Sequence, residues 1–226
     1  MSTLHTFGCS YTAFYENSKR KEYIEYKKFN GGKFPKIWPE LLSEKLNFDL
    51  NNLGAEGSSN YEIFHSFCDN IENLKKDDIV IIGWSYKERF RIVNPKTKQF
   101  VRVGPGFFPN PEIKGVSEDC IEEILVNRME KRWVDEVVSW EKIIKKLCDF
   151  IGVKLLIWSF DTTIPKHDGF AYLLNHEYGA TNILEETDGK IDDHHYGTKG
   201  HMVQADYFLG VINGNIIYNY KEKKLI

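Results

Sequence analysis

Residues Ile79-Val80-Ile81-Ile82 form an unbroken run of β-branched side chains that ends at Gly83 and is entered through Asp77-Asp78. A strand exposed on one face alternates apolar and polar residues. A continuous run is the mark of a strand buried on both faces, as in a parallel sheet covered by helices. Val153 to Trp158 repeats the pattern, and the shorter stretches Leu4 to Phe7 and Phe48 to Leu53 add two further strands. Between them the apolar spacing turns helical. Ile37, Trp38, Leu41, Leu42 and Leu46 mark one helix, and Ile63, Phe64, Phe67, Ile71 and Leu74 mark another. Ser58-Ser59-Asn60 supplies N-cap chemistry for the second helix. A long helix is predicted from about Asp119 to Phe150, striped by Val134, Val137, Val138, Ile144, Leu147 and Cys148, and a last one from Thr198 to about Val211.

The order β-α-β-α-β-(insertion)-α-β-α predicts an α/β fold, a three-layer α/β/α sandwich around a parallel sheet. The insertion, about 86–116, carries Phe90-Arg91-Ile92-Val93 and Gln99-Phe100-Val101-Arg102-Val103 on either side of Asn94-Pro95-Lys96-Thr97-Lys98, the pattern of a β-hairpin. Neither a repeat nor a linker divides the 226 residues, and a single domain is the simplest account. The hydrophobic share of 42% and charged share of 28% are those of a soluble globular chain. A net charge of -3 argues against nucleic acid as a partner. The basic run Lys19-Arg20-Lys21 and Lys27-Lys28 is interspersed with Glu16, Glu22 and Glu25, which reads as a solvated loop. Cys9, Cys68, Cys120 and Cys148 form no CxxC pair, so neither a zinc site nor a disulfide framework is expected. With no signal-like N-terminus and no apolar run of membrane-spanning length, a cytoplasmic location is the expectation.

In open parallel sheets, sites lie beyond the carboxyl ends of the strands. That rule singles out Gly8 to Thr12, Gly54 to Asn60, Gly83 to Ser85 and Ser159 to Thr163. In the first, Ser10 follows the strand by a glycine-bearing turn. Serine in such a turn is either a cap or an exposed nucleophile. Near the C-terminus, Asp192-Asp193-His194-His195 precedes Tyr196-Gly197-Thr198. A histidine base needs a carboxylate to fix its tautomer. Asp192, three residues before His195, has the spacing of one turn, and Asp193 stands too close along the backbone to fold back as easily.

These blocks resemble those of the SGNH, or GDSL-type, hydrolases, in family order and over most of the chain. Gly8-Cys9-Ser10-Tyr11-Thr12 stands where that family has Gly-Asp-Ser-x-Thr. Asn52-Leu53-Gly54-Ala55-Glu56-Gly57 matches Asn-x-Gly-x-x-Gly, and Asp192 to His195 with Gly200-His201 matches Asp-x-x-His followed by Gly-His. The resemblance implies a flavodoxin-like sandwich of the SGNH type, with Ser10 as nucleophile, His195 as base and Asp192 as its orienting acid. It implies an oxyanion hole from the backbone N–H groups of Ser10 and Gly57, with Ser85 as a third donor. Neighbouring Tyr11, Asn60, Trp84 and Arg89 are then the candidate substrate contacts. The implied reaction is hydrolysis of an ester or O-acetyl group on a small molecule or glycan, with no cofactor and no metal.

Two positions depart from the family. Cys9 replaces its aspartate. Gly83-Trp84-Ser85-Tyr86 replaces its third block, Gly-x-Asn-Asp, so that Ser85 stands in place of the asparagine that donates to the oxyanion. Loss of one such donor costs about 10²–10³ in rate in a protease. The departures keep an alternative open: a non-catalytic binding or structural protein on the same fold, a virion or assembly component being one version and a homo-oligomer another. Transfer of the acyl group to an alcohol other than water is also compatible with the sequence. His194 and His201 beside Asp192 and Asp193 could suggest a metal site, but consecutive ligands converge poorly. His201 is expected on the last helix, facing solvent or packing. The aromatics Phe14, Tyr15, Tyr23, Tyr26 and Phe29 either stack on a substrate or anchor a long loop.

Overall fold

The computed structural model describes residues 1–86, 89–93, 98, 100–103, 131–159, 170–171, 179–215, 218–219 and 224–225. In chain order the sheet strands are β1 (Thr3–Phe7), β2 (Asp49–Asn52), β3 (Ile79–Trp84), β6 (Lys154–Ser159) and a two-residue β7 (Phe170–Ala171). All pair in parallel, in the order β2-β1-β3-β6-β7. This is the flavodoxin-like order. Strand β4 (Phe90–Val93) pairs antiparallel with β5 (Phe100–Val103), which is the expected hairpin. The remainder of the insertion, 104–116, and the predicted helical stretch 119–130 lie outside the described residues, as does the strand-end segment 160–163. A second small antiparallel pair joins β8 (Tyr218–Asn219) to β9 (Lys224–Leu225).

The uninterrupted apolar strands do bury both faces, and alternate residues serve opposite layers. On one side Ile79, Ile81, Leu156 and Trp158 pack with Leu4 against α2 (Trp38–Leu46) and α6 (Thr198–Ile212), through Trp38, Leu42, Ala205 and Phe208. On the other, Val80, Ile82, Trp84 and Ile157 pack with Phe7 against α3 (Asn60–Asp69) and α4 (Lys131–Ile151), through Ile63, Phe67, Val137, Ile144 and Cys148. A Cβ on Gly83 would overlap the indole of Trp158, so the strand crossing at that point requires glycine. Helix α3 starts as its sequence indicates: Ser59 Oγ accepts from Glu62 N, and Glu62 Oε2 accepts from Ser59 N at 3.0 Å.

The basic run corrects one expectation. It is not a solvated loop but the helix α1 (Lys21–Phe29), with Tyr23 and Tyr26 buried on its inner face. Those rings, with Tyr15 and Ile37, form a third cluster with Ile183 and Ile191. The segment after Ser10 is thereby clamped against the short helix α5 (Ile183–Glu186) and the loop that leads to α6. The lysines project outward while two aromatics at i, i+3 spacing face in, a stripe too narrow to stand out among the charges.

Candidate active site

The chain leaves β1 for β2 on one side and returns to β3 on the other, so a crevice opens beyond the carboxyl ends of β1 and β3. Ser10 stands at its edge on a tight turn in which Thr12 N and Ala13 N donate to Cys9 O at 2.9 and 3.1 Å. The turn is held from three directions. Asn52 Nδ2 donates to Thr12 O at 2.8 Å, Trp38 Nε1 donates to Tyr11 O at 2.8 Å, and Ala55 N donates to Gly8 O at 3.0 Å. A Cβ on Gly54 would stand 2.7 Å from the carbonyl carbon of Thr12, so the second glycine block exists to let the β2 exit approach the serine turn.

His195 is brought to Ser10 from 185 residues away, with Nε2 2.7 Å from Ser10 Oγ. The carboxylate on its other nitrogen is Asp193, not Asp192. Asp193 Oδ1 lies 2.7 Å from His195 Nδ1 and also accepts from His195 N at 2.7 Å, while Asp192 is exposed. The reason is backbone conformation. Asp193 N donates to Ile191 O at 3.0 Å, and from α5 Ile183 N donates to His195 O and Leu184 N to Asp193 O, both at 2.9 Å. These bonds fold the loop so that buried and exposed residues alternate from Ile191 to His194. Ile191 and Asp193 therefore turn inward with His195, and Asp192 and His194 turn out. The spacing of three would have been correct on a helical turn. Asp193 closes an Asx turn on its own backbone, as aspartate does readily. The signal was present in the alternation Ile191, Asp193, His195 after an apolar start.

Asp193 is 2% exposed. Burial pushes its carboxyl up, but the hydrogen bond and charge of His195 and the charge of Arg20 prevail and hold it below the usual range. Arg20 Nη2 lies 2.7 Å from Asp193 Oδ2 as an ion pair rather than an aligned hydrogen bond. Nothing in the sequence set Arg20 apart from Lys19 and Lys21.

His201 is buried on α6, and its tautomer follows from its partners. Trp38 N donates to Nδ1 at 3.1 Å, so Nε2 carries the hydrogen and donates to Tyr15 Oη at 2.6 Å. Tyr15 in turn donates to Tyr196 O, beside His195. Burial, and to a lesser degree the charge of His195, pushes His201 down to about 3. Glu186 completes the support. Its carboxylate accepts from Thr198 N at 2.8 Å, Lys199 N at 2.7 Å and Tyr26 Oη at 2.6 Å, capping α6 from outside the helix.

Three candidate contacts, Trp84, Asn60 and Arg89, and the third oxyanion donor, Ser85, are placed elsewhere. Trp84 is fully buried and donates from Nε1 to Glu141 Oε1 at 2.8 Å. Asn60 is buried and clasps the backbone of Ser85, accepting from its N at 2.6 Å and donating to its O at 3.0 Å. Ser85 is itself fully buried, with its Oγ accepting from Arg89 Nη1 at 2.9 Å. Proximity to the family blocks in sequence thus misplaces Trp84 and Asn60, because their polar groups serve to hold α3 and α4 to β3. Arg89 is bound to Ser85 and lies over the Tyr86 ring at 5.4 Å. Tyr11 flanks the base, its ring centroid 4.6 Å from that of His195 and its hydroxyl donating to His194 O.

Ser10 opens into a cavity of about 420 Å³ lined by small residues, Ala13, Gly54, Ala55 and Gly57, and by Phe14, Asn17, Ser18, Tyr23 and Glu56. Gly57 holds a φ of 73°, which favours glycine. Among the described residues Ser85, Asn60, Trp84 and Arg89 do not line this cavity. Among those residues, too, no cluster of three metal-ligating side chains occurs, and no helix is long and apolar enough to cross a membrane. The arrangement is a hydroxyl, an imidazole and a carboxylate in hydrogen-bonded series at the mouth of a pocket, the pattern of an activated nucleophile.

No family model matches the chain, and no curated protein does. Among solved structures it is similar to a lipolytic protein of the G-D-S-L family from Desulfitobacterium hafniense DCB-2, at 12% identity and a TM-score of 0.33, over 93% of this chain and 99% of that one. It is also similar to an acetyl xylan esterase, at 14% identity and a TM-score of 0.35, over 93% and 99% of the two chains. A catalytic mutant of an acetylxylan esterase from Geobacillus stearothermophilus gives 14% identity and a TM-score of 0.33, over 93% and 94%. At this distance the side chains around Ser10, not the likenesses, carry the chemistry.

Proposed function

We propose that the protein is a serine hydrolase that cleaves an ester or O-acetyl group on a small molecule or glycan. The observation that carries this is the pair of 2.7 Å contacts that place His195 between Ser10 and Asp193. Ser10 Oγ attacks the carbonyl carbon as His195 Nε2 takes its proton. The imidazolium so formed is stabilised by Asp193, which also keeps Nδ1 protonated in the resting state. Backbone N–H groups of Ser10 and Gly57 are the donors for the tetrahedral oxyanion, since Gly57 lines the same cavity as the nucleophile. Collapse expels the alcohol with the proton held on His195. Water then attacks the acyl-serine with His195 as base, releasing the carboxylic acid and restoring Ser10. The small residues beside Ser10 suit a short acyl group, and the aromatic and polar wall of Phe14, Tyr23, Asn17 and Ser18 suits a hydroxyl-rich leaving group.

One observation favours a second reading, a binding or structural protein with vestigial chemistry. Ser85, at the position of the family asparagine, is buried and engaged with Arg89 and does not line the cavity. Turnover of p-nitrophenyl acetate by wild type and Ser10→Ala separates the two. Hydrolysis lost in the variant, with fluorophosphonate labelling of the wild type at Ser10, supports the hydrolase. Equal rates in both proteins, or a wild type that takes no label, overturns it.

A further inference from the structure

The geometry points to Arg20 as a positioning residue of the reaction: its cation pins the outer oxygen of Asp193 and stands beside Nδ1 of His195, on the far side of the Asp-His pair from Ser10. This rests on the hydrolase reading above.

Asp193 has two carboxylate oxygens and a side chain with no exposed surface. Oδ1 serves His195, and Oδ2 faces Arg20 Nη2 at 2.7 Å. Without that cation the carboxylate could swing about its Cα–Cβ and Cβ–Cγ bonds and loosen the imidazole. The guanidinium reaches further than its ion pair. Nη1 stands 3.5 Å from His195 Nδ1. Because Nδ1 donates to Asp193, two N–H groups face each other there, and the contact turns repulsive when His195 gains a second proton. Asp193 and Arg20 therefore act on the imidazolium with opposite sign.

Several contacts place Arg20 here. It is the residue preceding α1, and its own N donates to Ser18 Oγ at 3.2 Å. Its guanidinium lies over the Tyr23 ring at 5.1 Å, and Tyr23 packs edge-on against His195 with ring centroids 5.7 Å apart. Nε is 3.5 Å from Glu22 and 3.8 Å from Glu56. The groups facing His195 are thus Ser10, Asp193, Arg20, Tyr11 and Tyr23, with Glu22 and Glu56 behind Arg20 and His201 deeper in the core. Of these only Arg20 carries a permanent positive charge. The segment after Ser10 serves the reaction as well as covering the loop: it delivers a charge to the far side of the Asp-His pair.

The test is the pH profile of kcat/KM for p-nitrophenyl acetate in wild type, Arg20→Met, Arg20→Lys and Lys21→Met. The Arg20 side chain is 35% exposed, so solvent screens part of its charge. On that basis Arg20→Met moves the acid limb upward by about half to one pH unit and lowers the plateau several-fold. Arg20→Lys restores most of the shift, and Lys21→Met, which removes an exposed neighbouring cation, leaves the limb in place. If Arg20→Met does not fold, Arg20→Gln carries the same expectation with a less disruptive side chain. An unmoved limb in a folded neutral variant overturns the inference, as does an equal shift in Lys21→Met. Activity that survives Ser10→Ala overturns the hydrolase reading instead, whatever Arg20 does.

Discussion

Two histidine–aspartate pairs lie at opposite ends of the sheet, and only one of them turns a ring nitrogen to a hydroxyl at a cavity. His5 on β1 places Nε2 3.2 Å from Oδ2 of Asp78, which stands at the entry to β3. Its Nδ1 faces Asn51 Nδ2 at 3.1 Å, and Asp78 also accepts from Thr3 N and Lys75 N, each at 2.8 Å. Every polar atom of the pair is committed to the protein, and burial pulls His5 below its ordinary value against the hydrogen bond and charge of Asp78. His195 and Asp193 differ in one respect. The second ring nitrogen points at a hydroxyl on the rim of a cavity. A His–Asp pair is thus a brace when both nitrogens are consumed by structure, and a proton carrier when one is left for a reacting group.

Substitutions in the two pairs put that difference at risk. The largest effect is expected for His195→Ala, which should lower kcat/KM for p-nitrophenyl acetate by about 10³–10⁴ with the urea midpoint nearly unchanged. His5→Ala should do the reverse, and activity loss in the folded His5 variant would erase the distinction. Next, Asp193→Asn should cost about 10²–10⁴ in kcat by permitting the wrong tautomer. Asp78→Ala should leave folded enzyme active but destabilise it by about 3 kcal/mol in urea titration, because it strands His5 and two backbone N–H groups.

A smaller effect is expected for pH. His201 sits well below its unfolded value, so the unfolded chain binds the extra proton first, and stability is complete above about pH 6.5 and falls as pH drops toward 3. Between pH 6.5 and 5 the loss should be about 2 kcal/mol, and His201→Gln should flatten it when urea midpoints are compared at the two pH values. Asp192→Asn should be smallest, changing kcat less than about twofold. That is the outcome for an exposed carboxylate beside, rather than within, the hydrogen-bonded series.

Much of the fold was legible because its cause is local. Ile79 to Gly83 is apolar without alternation, and it became the central strand β3. Ser59 with Glu62 started α3 where the cap chemistry indicated. Helix α1 was not legible, since only Tyr23 and Tyr26 are buried on it and its other positions are five charged residues and the exposed Ile24 and Phe29. The short parallel pairing of β7 with β6 also had no pattern of its own, being two residues long.

At the candidate site, local pattern specified the residue types and the turns that carry them: a serine after the first strand, glycines that allow close approach, and a carboxylate–histidine run before the last helix. Packing decided which members meet. Asp193 replaced Asp192 because hydrogen bonds from Ile183 N, Leu184 N and Asp193 N fix a loop in which Ile191, Asp193 and His195 turn inward and Asp192 turns out. Arg20 was selected from among three adjacent cations because the buried cluster of Tyr15, Tyr23, Tyr26, Ile183 and Ile191 docks α1 beside that loop. Periodicity is encoded between near neighbours. The pairing of Arg20 with a carboxylate near the other end of the chain is encoded only in the core that brings the two segments together.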